Sequence, residues 1–517
     1  MTSSSASRTR SADARPAQQA AGPPPHRLDR RVIWVALGLF AILMALSPWY
    51  GFDRDELYFL DCARHLQAAY VDQPILTPLL ARISLDLFGV SLPGLRLWPA
   101  LAGAATVIVA ALTARELGGG KRAQLLSAFA TATMPALLAV DHLMGPTAID
   151  LLAWSALALV VLRLGRTGNR RWWLAAGAVC GVGLANKHSI AFFAAALLLG
   201  LLVTGDRRLL SSRWLVIGTA IAVMFTIPDL WWQATHGWAT ITMTRNLNAE
   251  NGGAGKIPTW VAGQLLMTSL ALVPVWIAGL RWLWRTRAPA FRSLVVAYGV
   301  LFVLFALTTG GKIYYLAGAY VPLLAAGALA IDGWLAARRH LRTLVVGMVV
   351  TVGAALPVAL PVLPASNTAW VYKLNQVPGE SVGWPELVHT VAAAWHQLPE
   401  GARRSAVVIT ANYGEVGALN ELGRGQGIPL AYSDQNSEWW WGPGNPHAHS
   451  VLFVAPGPRD MTDARSYLLR FFASVRPVAT LRNSAGIHNQ EWGGHVYWCT
   501  RLRRPWAATW PLLRHYD

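Results

Sequence analysis

Long apolar stretches separated by short polar turns fill most of the chain up to residue 364. A helix that crosses a bilayer needs about 17–25 mostly apolar residues. The pattern predicts eleven membrane-spanning helices, of which the adjacent short pair at 172–186 and 189–205 is the weakest. The predicted spans are 32–47, 96–117, 123–140, 147–164, 172–186, 189–205, 214–232, 258–280, 292–309, 313–332 and 343–364.

Three regions depart from this pattern. Residues 1–31 are rich in Ser, Ala, Arg and Pro and predict a disordered cytoplasmic tail. The loop at 48–95 contains two stretches with one apolar face, which predict helices lying in the membrane surface. Residues 365–517 alternate strand-like and helical segments and predict a small α/β domain. Its predicted strands are 405–411, 450–455 and 494–500, and its predicted helices are 414–423 and 462–473.

Composition supports a polytopic membrane protein. Hydrophobic residues make up 54% of the chain and charged residues only 14%, against roughly 25% charged in soluble domains. The net charge of +18 could suit nucleic acid, but the arginines stand in short clusters between apolar segments, which argues against a nucleic-acid partner. Three cysteines are too few for a disulfide scaffold, and a bridge between Cys62 and Cys499 is left open.

The basic clusters also predict an orientation. Cytoplasmic loops carry more Lys and Arg than outer loops do. With the N-terminus in the cytoplasm, the basic clusters all fall in inner loops, and the acids at 53–56 fall outside. An odd number of spans then puts residues 365–517 outside the plasma (inner) membrane as well. The inner clusters are Lys121/Arg122, Arg163–Arg171, Arg207–Arg213, Arg281–Arg292 and Arg338–Arg342.

Three carboxylates, Asp53, Asp55 and Glu56, follow directly after the first apolar segment. Asp53 and Glu56 have the spacing of a helix capping box, which is one explanation for them. A cap does not account for Asp55. In a poorly hydrated setting, neighbouring carboxylates raise one pKa towards neutrality, where a general base is most effective. Asp55 is therefore the candidate base, with Glu56 orienting it or the acceptor.

Motifs along the chain resemble the GT-C superfamily of glycosyltransferases. The branch is family 39, or RgtA/B/C/D-like, which includes protein O-mannosyltransferases and aminoarabinose transferases. The resemblance covers nearly everything from residue 32 onwards. The matching stretches are Asp55–Tyr58, Tyr70–Pro74, Ala185–Ser189, Ile227–Trp232, His236–Trp238, Gly311–Tyr315, Asn412–Glu415 and Tyr432–Gly444.

The resemblance implies a reaction. Such enzymes take a sugar from a polyprenyl-phosphate carrier at the outer face and pass it to an acceptor, with inversion at the anomeric carbon. It implies that the catalytic acid lies in the pair Asp55–Glu56. Relatives often have His where this chain has Asp53, so the local charge differs here.

Cations at the outer edge of the membrane would stabilise the leaving lipid phosphate. The sequence predicts four such residues, Lys187, His188, Arg245 and Lys312. Each has a simpler explanation: a Lys at a helix end can extend to water, Arg245 lies in a long polar loop, and a single interfacial His is usually structural.

Further side chains are candidates for a second acid or for acceptor binding: Asp53, Asp72, Asp150 and Tyr314. Asp150 also fits an acid favoured by the dipole at a helix N-terminus. The outer acids would suit a divalent cation, but no ligand spacing specifies one, so no cofactor is assigned. Trp439–Trp441 suits either sugar stacking or the aromatic belt at a membrane interface.

Two other classes of function compete with the transferase. A transporter or lipid flippase would place ionisable residues near the middle of the bilayer on interrupted, repeated helices, and no repeat is found. A scaffold subunit of an envelope complex would leave the carboxylates inert. The sequence does not identify the sugar, the carrier length, the oligomeric state or the acceptor, which can be a glycan, a lipid or a protein.

Overall fold

The computed structural model describes residues 26–205, 207–251, 255, 257–308, 313–458 and 461–517. Most of the predicted tail at 1–31, and Lys312, lie outside these residues. The helices up to residue 359 are α1 (Arg31–Leu46), α2 (Arg54–Arg64), α3 (Leu76–Phe88), α4 (Leu92–Glu116), α5 (Lys121–Ala132), α6 (Pro135–Asp141), α7 (Pro146–Thr167), α8 (Trp172–Leu184), α9 (Ser189–Val203), α10 (Arg207–Leu210), α11 (Arg213–Thr235), α12 (Ala239–Asn251), α13 (Ile257–Met267), α14 (Val273–Arg285), α15 (Pro289–Thr308), α16 (Ala317–Ala330) and α17 (Arg338–Ala359).

Within the described residues, six helical segments are long and apolar enough to cross a membrane: α4, α7, α11, α15, α17 and the segment Ile313–Ala330. Two bent pairs, α5 with α6 (58°) and α13 with the segment Leu270–Arg285 (83°), raise this number to eight if each pair is one span. The predicted spans at 32–47, 172–186 and 189–205 correspond to the shorter apolar helices α1, α8 and α9. The chain is thus a multi-pass membrane protein, and the number eleven stays a prediction.

The bend between α5 and α6 has a local cause. Pro135 is the first residue of α6, and Met134 before it is extended, with φ −69° and ψ 119°. A proline lacks an amide N–H and disfavours helical geometry in the residue before it, so the helix is interrupted at this point.

The remaining helices and the strands follow α17. The helices are α18 (Ala369–Tyr372), α19 (Val377–Glu380), α20 (Trp384–His396), α21 (Glu400–Arg403), α22 (Tyr413–Leu422), α23 (Ala464–Leu469) and α24 (Trp506–Leu513). The strands are β1 (Ala406–Thr410), β2 (Ala431–Ser433), β3 (Ser450–Ala455), β4 (Phe472–Thr480) and β5 (His495–Leu502). The three predicted strands are therefore present, and β2 and β4 were not predicted.

The five strands form one mixed sheet in the order β2-β1-β3-β5-β4. Strands β2, β1 and β3 are parallel, with Val408 opposite Ala431 and Leu452, and β5 runs antiparallel to β3 and β4. Alternate residues of a strand face opposite sides of a sheet. One side of this sheet packs against α20, α22 and α2, and the other against α23 and α24. The described cysteines are all free, so the bridge between Cys62 and Cys499 is absent.

Helix α2 is buried between other elements. All residues from Glu56 to Ala63 are buried, including Asp61, and its neighbours are α22 and α3. The side chains from Glu56 to Ala63 therefore pack against protein, and the position of α2 in the membrane surface stays a prediction. A Cβ atom on Gly417 of α22 would lie 2.7 Å from the Leu57 carbonyl oxygen. The absence of a side chain at Gly417 lets the two helices approach closely.

Candidate active site

The first turn of α2 arranges the three acids. The Asp53 carboxylate accepts a hydrogen bond from the Asp55 amide (3.0 Å), and the Glu56 carboxylate accepts one from the Asp53 amide (2.9 Å). The predicted capping box is present and uses Asp53 and Glu56. The cap uses the backbone amide of Asp55 but not its carboxylate.

Glu56 is completely buried. Arg96 of α4 donates two hydrogen bonds to its carboxylate (2.9 and 2.8 Å), and the Met144 amide donates another (2.8 Å). With the Asp53 amide, four donors occupy the two oxygens. The Glu56 carboxylate is therefore held in place by protein donors, and its role in orienting Asp55 or the acceptor stays a prediction.

Asp55 is exposed, whereas Asp53 and Glu56 are buried. The Tyr413 hydroxyl donates a hydrogen bond to its Oδ1 atom (2.9 Å). Tyr413 is the first residue of α22, and the capping box of Asn412 and Glu415 fixes the start of that helix. The packing of α2 on α22 thus brings together two side chains that lie far apart in the sequence.

Asp72 belongs to the same cluster. The Tyr58 hydroxyl donates a hydrogen bond to its Oδ1 atom (2.6 Å). Burial, with a smaller contribution from the charge of Asp55, raises the pKa of Asp72 to about 6. Burial and the charges of Asp55 and Glu56 also raise the pKa of Asp53 well above its ordinary value. Raised carboxylate pKa values therefore occur at this site, on Asp53 and Asp72.

Lys187 lies beside Tyr314 and Tyr315. Its Nζ atom is 5.5 Å from the centre of the Tyr314 ring and 4.9 Å from that of Tyr315, and it donates a hydrogen bond to Thr147 (3.2 Å). Tyr314 is in turn close enough to Asp55 to interact with it electrostatically. The Lys187 ammonium group therefore lies beside Tyr314, and the charge of Asp55 acts on the same tyrosine.

The turn that carries Lys187 is held by its neighbours. Asn186, which is buried, donates a hydrogen bond to the Pro146 carbonyl (2.7 Å) and accepts one from Thr77 (2.9 Å). Ser189 donates to Asp150 (2.6 Å), and Asp150 interacts electrostatically with Lys187. Asp150 thus lies beside the predicted phosphate-binding lysine.

Two predicted cations do not join this cluster. His188 pairs through Nε2 with Asp229 of α11 (2.8 Å). Arg245 is exposed on α12, whose residues Thr242 and Asn246 line a different cleft. Of the four predicted cations, Lys187 therefore lies beside Tyr314, His188 is paired with Asp229 and Arg245 is exposed on α12, whereas Lys312 lies outside the described residues.

An apolar cavity of about 300 Å³ lies between α7, α8, α9 and α11. Its lining includes Leu184 and Ile190, which flank the turn that carries Lys187. Lipid chains are as apolar as such a lining, so the cavity could accommodate part of one.

No group of three or more His, Cys, Asp or Glu side chains suited to a metal ion occurs among the residues that the structure describes. The site residues that the sequence analysis missed are Arg96, Tyr58 and Tyr413. Their partners Glu56, Asp72 and Asp55 lie 40, 14 and 358 residues away. Tyr58 and Tyr413 both lay within stretches that match the family, but no local signal indicated Arg96.

Comparison with known proteins gives consistent matches. Residues 72–232 match the family described as dolichyl-phosphate-mannose-protein mannosyltransferase. The lipid A galacturonosyltransferase RgtD of Rhizobium johnstonii is 26% identical over 223 residues, 42% of this chain and 46% of RgtD. The chain therefore spans about half the length of this relative.

Two solved structures show the fold. ArnT from Cupriavidus metallidurans, bound to undecaprenyl phosphate, superposes with a TM-score of 0.60 at 15% identity, over 90% of this chain and 97% of ArnT. The oligosaccharyltransferase AglB from Archaeoglobus fulgidus, in complex with an inhibitory peptide and a dolichol-phosphate, has a TM-score of 0.51 at 12% identity, over 85% of this chain and 70% of AglB.

Proposed function

We propose that this chain, which has the fold of the GT-C superfamily, is a membrane glycosyltransferase that moves a sugar from a polyprenyl-phosphate carrier to an acceptor hydroxyl. The observation that supports this most is the exposed Asp55 carboxylate, which accepts a hydrogen bond from Tyr413 and acts electrostatically on Tyr314, the tyrosine beside Lys187. A proton acceptor and a cation for a leaving phosphate are thus both linked to Tyr314. The undecaprenyl phosphate bound to ArnT and the dolichol-phosphate in the AglB complex are lipids of the same kind as such a carrier.

Asp55 acts as the general base in this proposal. Its carboxylate takes the proton from the acceptor hydroxyl while the oxygen attacks the anomeric carbon of the sugar. The bond from that carbon to the phosphate oxygen breaks on the opposite side, so the configuration inverts. The Tyr413 hydrogen bond fixes the carboxylate, and Glu56 acts as a positioning residue by holding the start of α2 against Arg96.

Lys187 stabilises the phosphate that leaves with the carrier. The tyrosine rings beside it restrict its ammonium group, and the apolar cavity next to its turn is suited to the polyprenyl chain. Lys312 remains a predicted second cation. His188 and Arg245 have no direct part, since His188 is paired with Asp229 and Arg245 is not in the cluster.

Asp72 is the second acid and holds the acceptor. Its raised pKa, about 6, leaves it able to exchange protons near neutral pH. Asp150 positions Lys187 through electrostatic attraction. We place the reaction at the outer face of the plasma membrane, with the N-terminus in the cytoplasm and the sheet outside. The acceptor is a glycan, a lipid or a protein. The similarity to RgtD, a lipid A galacturonosyltransferase, favours a glycan or a lipid.

This function is tested with purified protein in liposomes, to which an envelope extract is added as the source of acceptor. The liposomes contain polyprenyl-phosphate carriers loaded with radiolabelled hexose, hexuronate or aminopentose. Label should leave the carrier and appear in an acceptor fraction, with equimolar polyprenyl phosphate released. Movement of intact carrier between leaflets without loss of its sugar would instead support the flippase and refute the transferase.

A further inference from the structure

A second cleft, of about 360 Å³, lies between the turn that joins α11 to α12 and the segment that follows α24. Its walls are aromatic and polar, and no carboxylate side chain is among its lining residues. The side chains that matter here are His236, Thr242, Asn246, Trp440, Arg514 and Tyr516. None of them has a role in the transfer step proposed above.

The aromatic wall is fixed by direct contacts. The His236 ring stacks on Trp232 (3.9 Å between centres) and meets the edge of Trp440 (4.6 Å). The Trp440 indole N–H donates a hydrogen bond to the Tyr516 hydroxyl (3.1 Å), and the Asn246 amide donates one to the Tyr516 carbonyl (2.8 Å). The cleft is therefore built before any ligand arrives.

Among the described residues, His236 has hydrogen-bond partners at Nδ1, namely the Trp232 carbonyl and the Thr235 hydroxyl, and none at Nε2. Its Nδ1 atom lies 2.8 Å from the Trp232 carbonyl oxygen, which can only accept a hydrogen bond. Nδ1 therefore carries the proton, and Nε2 of the neutral ring is an acceptor. A hydroxyl group in the cleft could donate to it.

Arg514 supplies the positive charge. Its guanidinium group lies 4.7 Å from the Trp439 ring centre and 5.6 Å from that of Tyr516, and it is exposed. No carboxylate in the described parts of the chain forms a salt bridge with it. His515, by contrast, faces Asp434 at 3.6 Å. Arg514 is therefore the cation that can recognise an incoming anion.

Hydrogen bonds connect α12, which contributes to the cleft, with the candidate active site. Thr240 donates a hydrogen bond to the Val71 carbonyl (2.6 Å), and the Val71 amide donates to Ser437 (2.9 Å). The Ser437 hydroxyl is 2.8 Å from that of Tyr58, which bonds Asp72. Val71, which precedes Asp72 in the chain, thus links α12 to the hydrogen bonds around Asp72.

We infer that this cleft binds an acidic sugar unit of the acceptor glycan, with its carboxylate on Arg514 and its ring against Trp440 and His236. Aromatic faces pack against the C–H groups of sugars, and a guanidinium binds a carboxylate through paired hydrogen bonds. A simple anion would use Arg514 alone and leave the aromatic wall without a ligand. That this sugar belongs to the acceptor rests on the proposed function, whereas the binding of an acidic sugar in the cleft does not.

The test measures binding of tri-galacturonate, and of the matched neutral tri-galactoside, to the full-length protein in uncharged nanodiscs by isothermal titration calorimetry. We expect tri-galacturonate to bind at least tenfold more tightly than the neutral sugar. Arg514→Ala should remove that tenfold difference, and Arg514→Lys should restore part of it. Arg504→Ala, which removes an equal charge from another exposed position, should change nothing.

Several results would overturn the inference. These are equal binding by Arg514→Ala and the wild type, an equal loss in Arg504→Ala, and competition by inorganic phosphate as strong as that by the sugar. A loss of binding to phosphatidylglycerol vesicles alone in Arg514→Ala would show a lipid contact instead. Asp55→Asn should bind tri-galacturonate normally. Failure of the base assignment and failure of this cleft would therefore be seen in different variants.

Discussion

Glu56→Gln tests whether the candidate site depends on a buried ion pair. The Glu56 carboxylate and the Arg96 guanidinium are both essentially inaccessible to solvent and lie 2.8 Å apart. The substitution keeps the shape of the side chain and removes its charge. It leaves the Arg96 charge buried without a counter-ion and turns one acceptor atom into an N–H donor that faces other donors.

The structure sets the size of the effect. At 2.8 Å and an effective dielectric constant of about 20, the pair attracts with about 6 kcal/mol before desolvation is subtracted. Removing one partner of a buried pair typically costs about 3–5 kcal/mol of folding stability. We therefore expect the apparent melting temperature to fall by roughly 5 °C or more.

The measurement is thermal unfolding in detergent, followed by the loss of monodisperse protein on size-exclusion chromatography. Glu400→Gln is the matched control, because Glu400 also pairs with an arginine but is 72% exposed, so its loss should change stability by at most about 0.5 kcal/mol. Equal melting of the two variants would refute the buried pair. A normally stable Glu56→Gln without transfer activity would show that Glu56 acts directly in catalysis.

Three further outcomes are expected. Tyr413→Phe removes the hydrogen bond to Asp55 and should lower kcat roughly tenfold without changing the KM for the donor. Lys187→Ala should raise the KM for the donor roughly tenfold, and Lys187→Arg should restore part of the affinity. Because burial raises the pKa of Asp72 to about 6, the folded state binds more protons than the unfolded chain between about pH 4 and 6. Folding stability should therefore fall as the pH rises through this window, and Asp72→Asn should flatten that slope.

Each of these outcomes has a contrary result. An unchanged kcat in Tyr413→Phe would mean that the hydroxyl does not orient the base. Lys373→Ala, at an exposed lysine outside the cluster, should leave the KM for the donor unchanged, and a matching rise there would point to a general charge effect. A pH slope that persists in Asp72→Asn would assign the titration to another buried acid.

The membrane region was largely predictable, because each predicted apolar segment coincides with helical structure. The number of spans was not. Helix α8 has 13 residues, so it is about 20 Å long at 1.5 Å per residue, against a hydrocarbon core of about 30 Å. Hydropathy gives the segment but not its depth. The resemblance to the GT-C superfamily is confirmed by the family match and the fold.

Local sequence also predicted the capping box and the strands β1, β3 and β5. Strand β2 was missed because it has only three residues, and β4 because Pro477 interrupts its pattern next to a bulge. Proline in a strand usually argues against a strand, except at edges and bulges, and β4 is an edge strand.

The hydrogen-bond partners of the site residues could not be predicted from the sequence, because tertiary packing determines them. Tyr413 meets Asp55 only because α2 and α22 touch at Gly417. His188 was predicted to bind phosphate, but Asp229 on a neighbouring helix occupies its Nε2 atom. The type of a residue indicates the chemistry of its side chain, whereas the fold determines which group that side chain contacts.

The central claim is that Asp55 removes the acceptor proton, and the single-turnover transfer rate of Asp55→Asn at saturating donor tests it most directly. Asparagine can still accept the Tyr413 hydrogen bond but cannot take a proton. We predict a rate roughly 10²- to 10⁴-fold below the wild type, with Asp86→Asn, at an exposed aspartate on α3, unchanged. A rate for Asp55→Asn within twofold of the wild type would contradict the account.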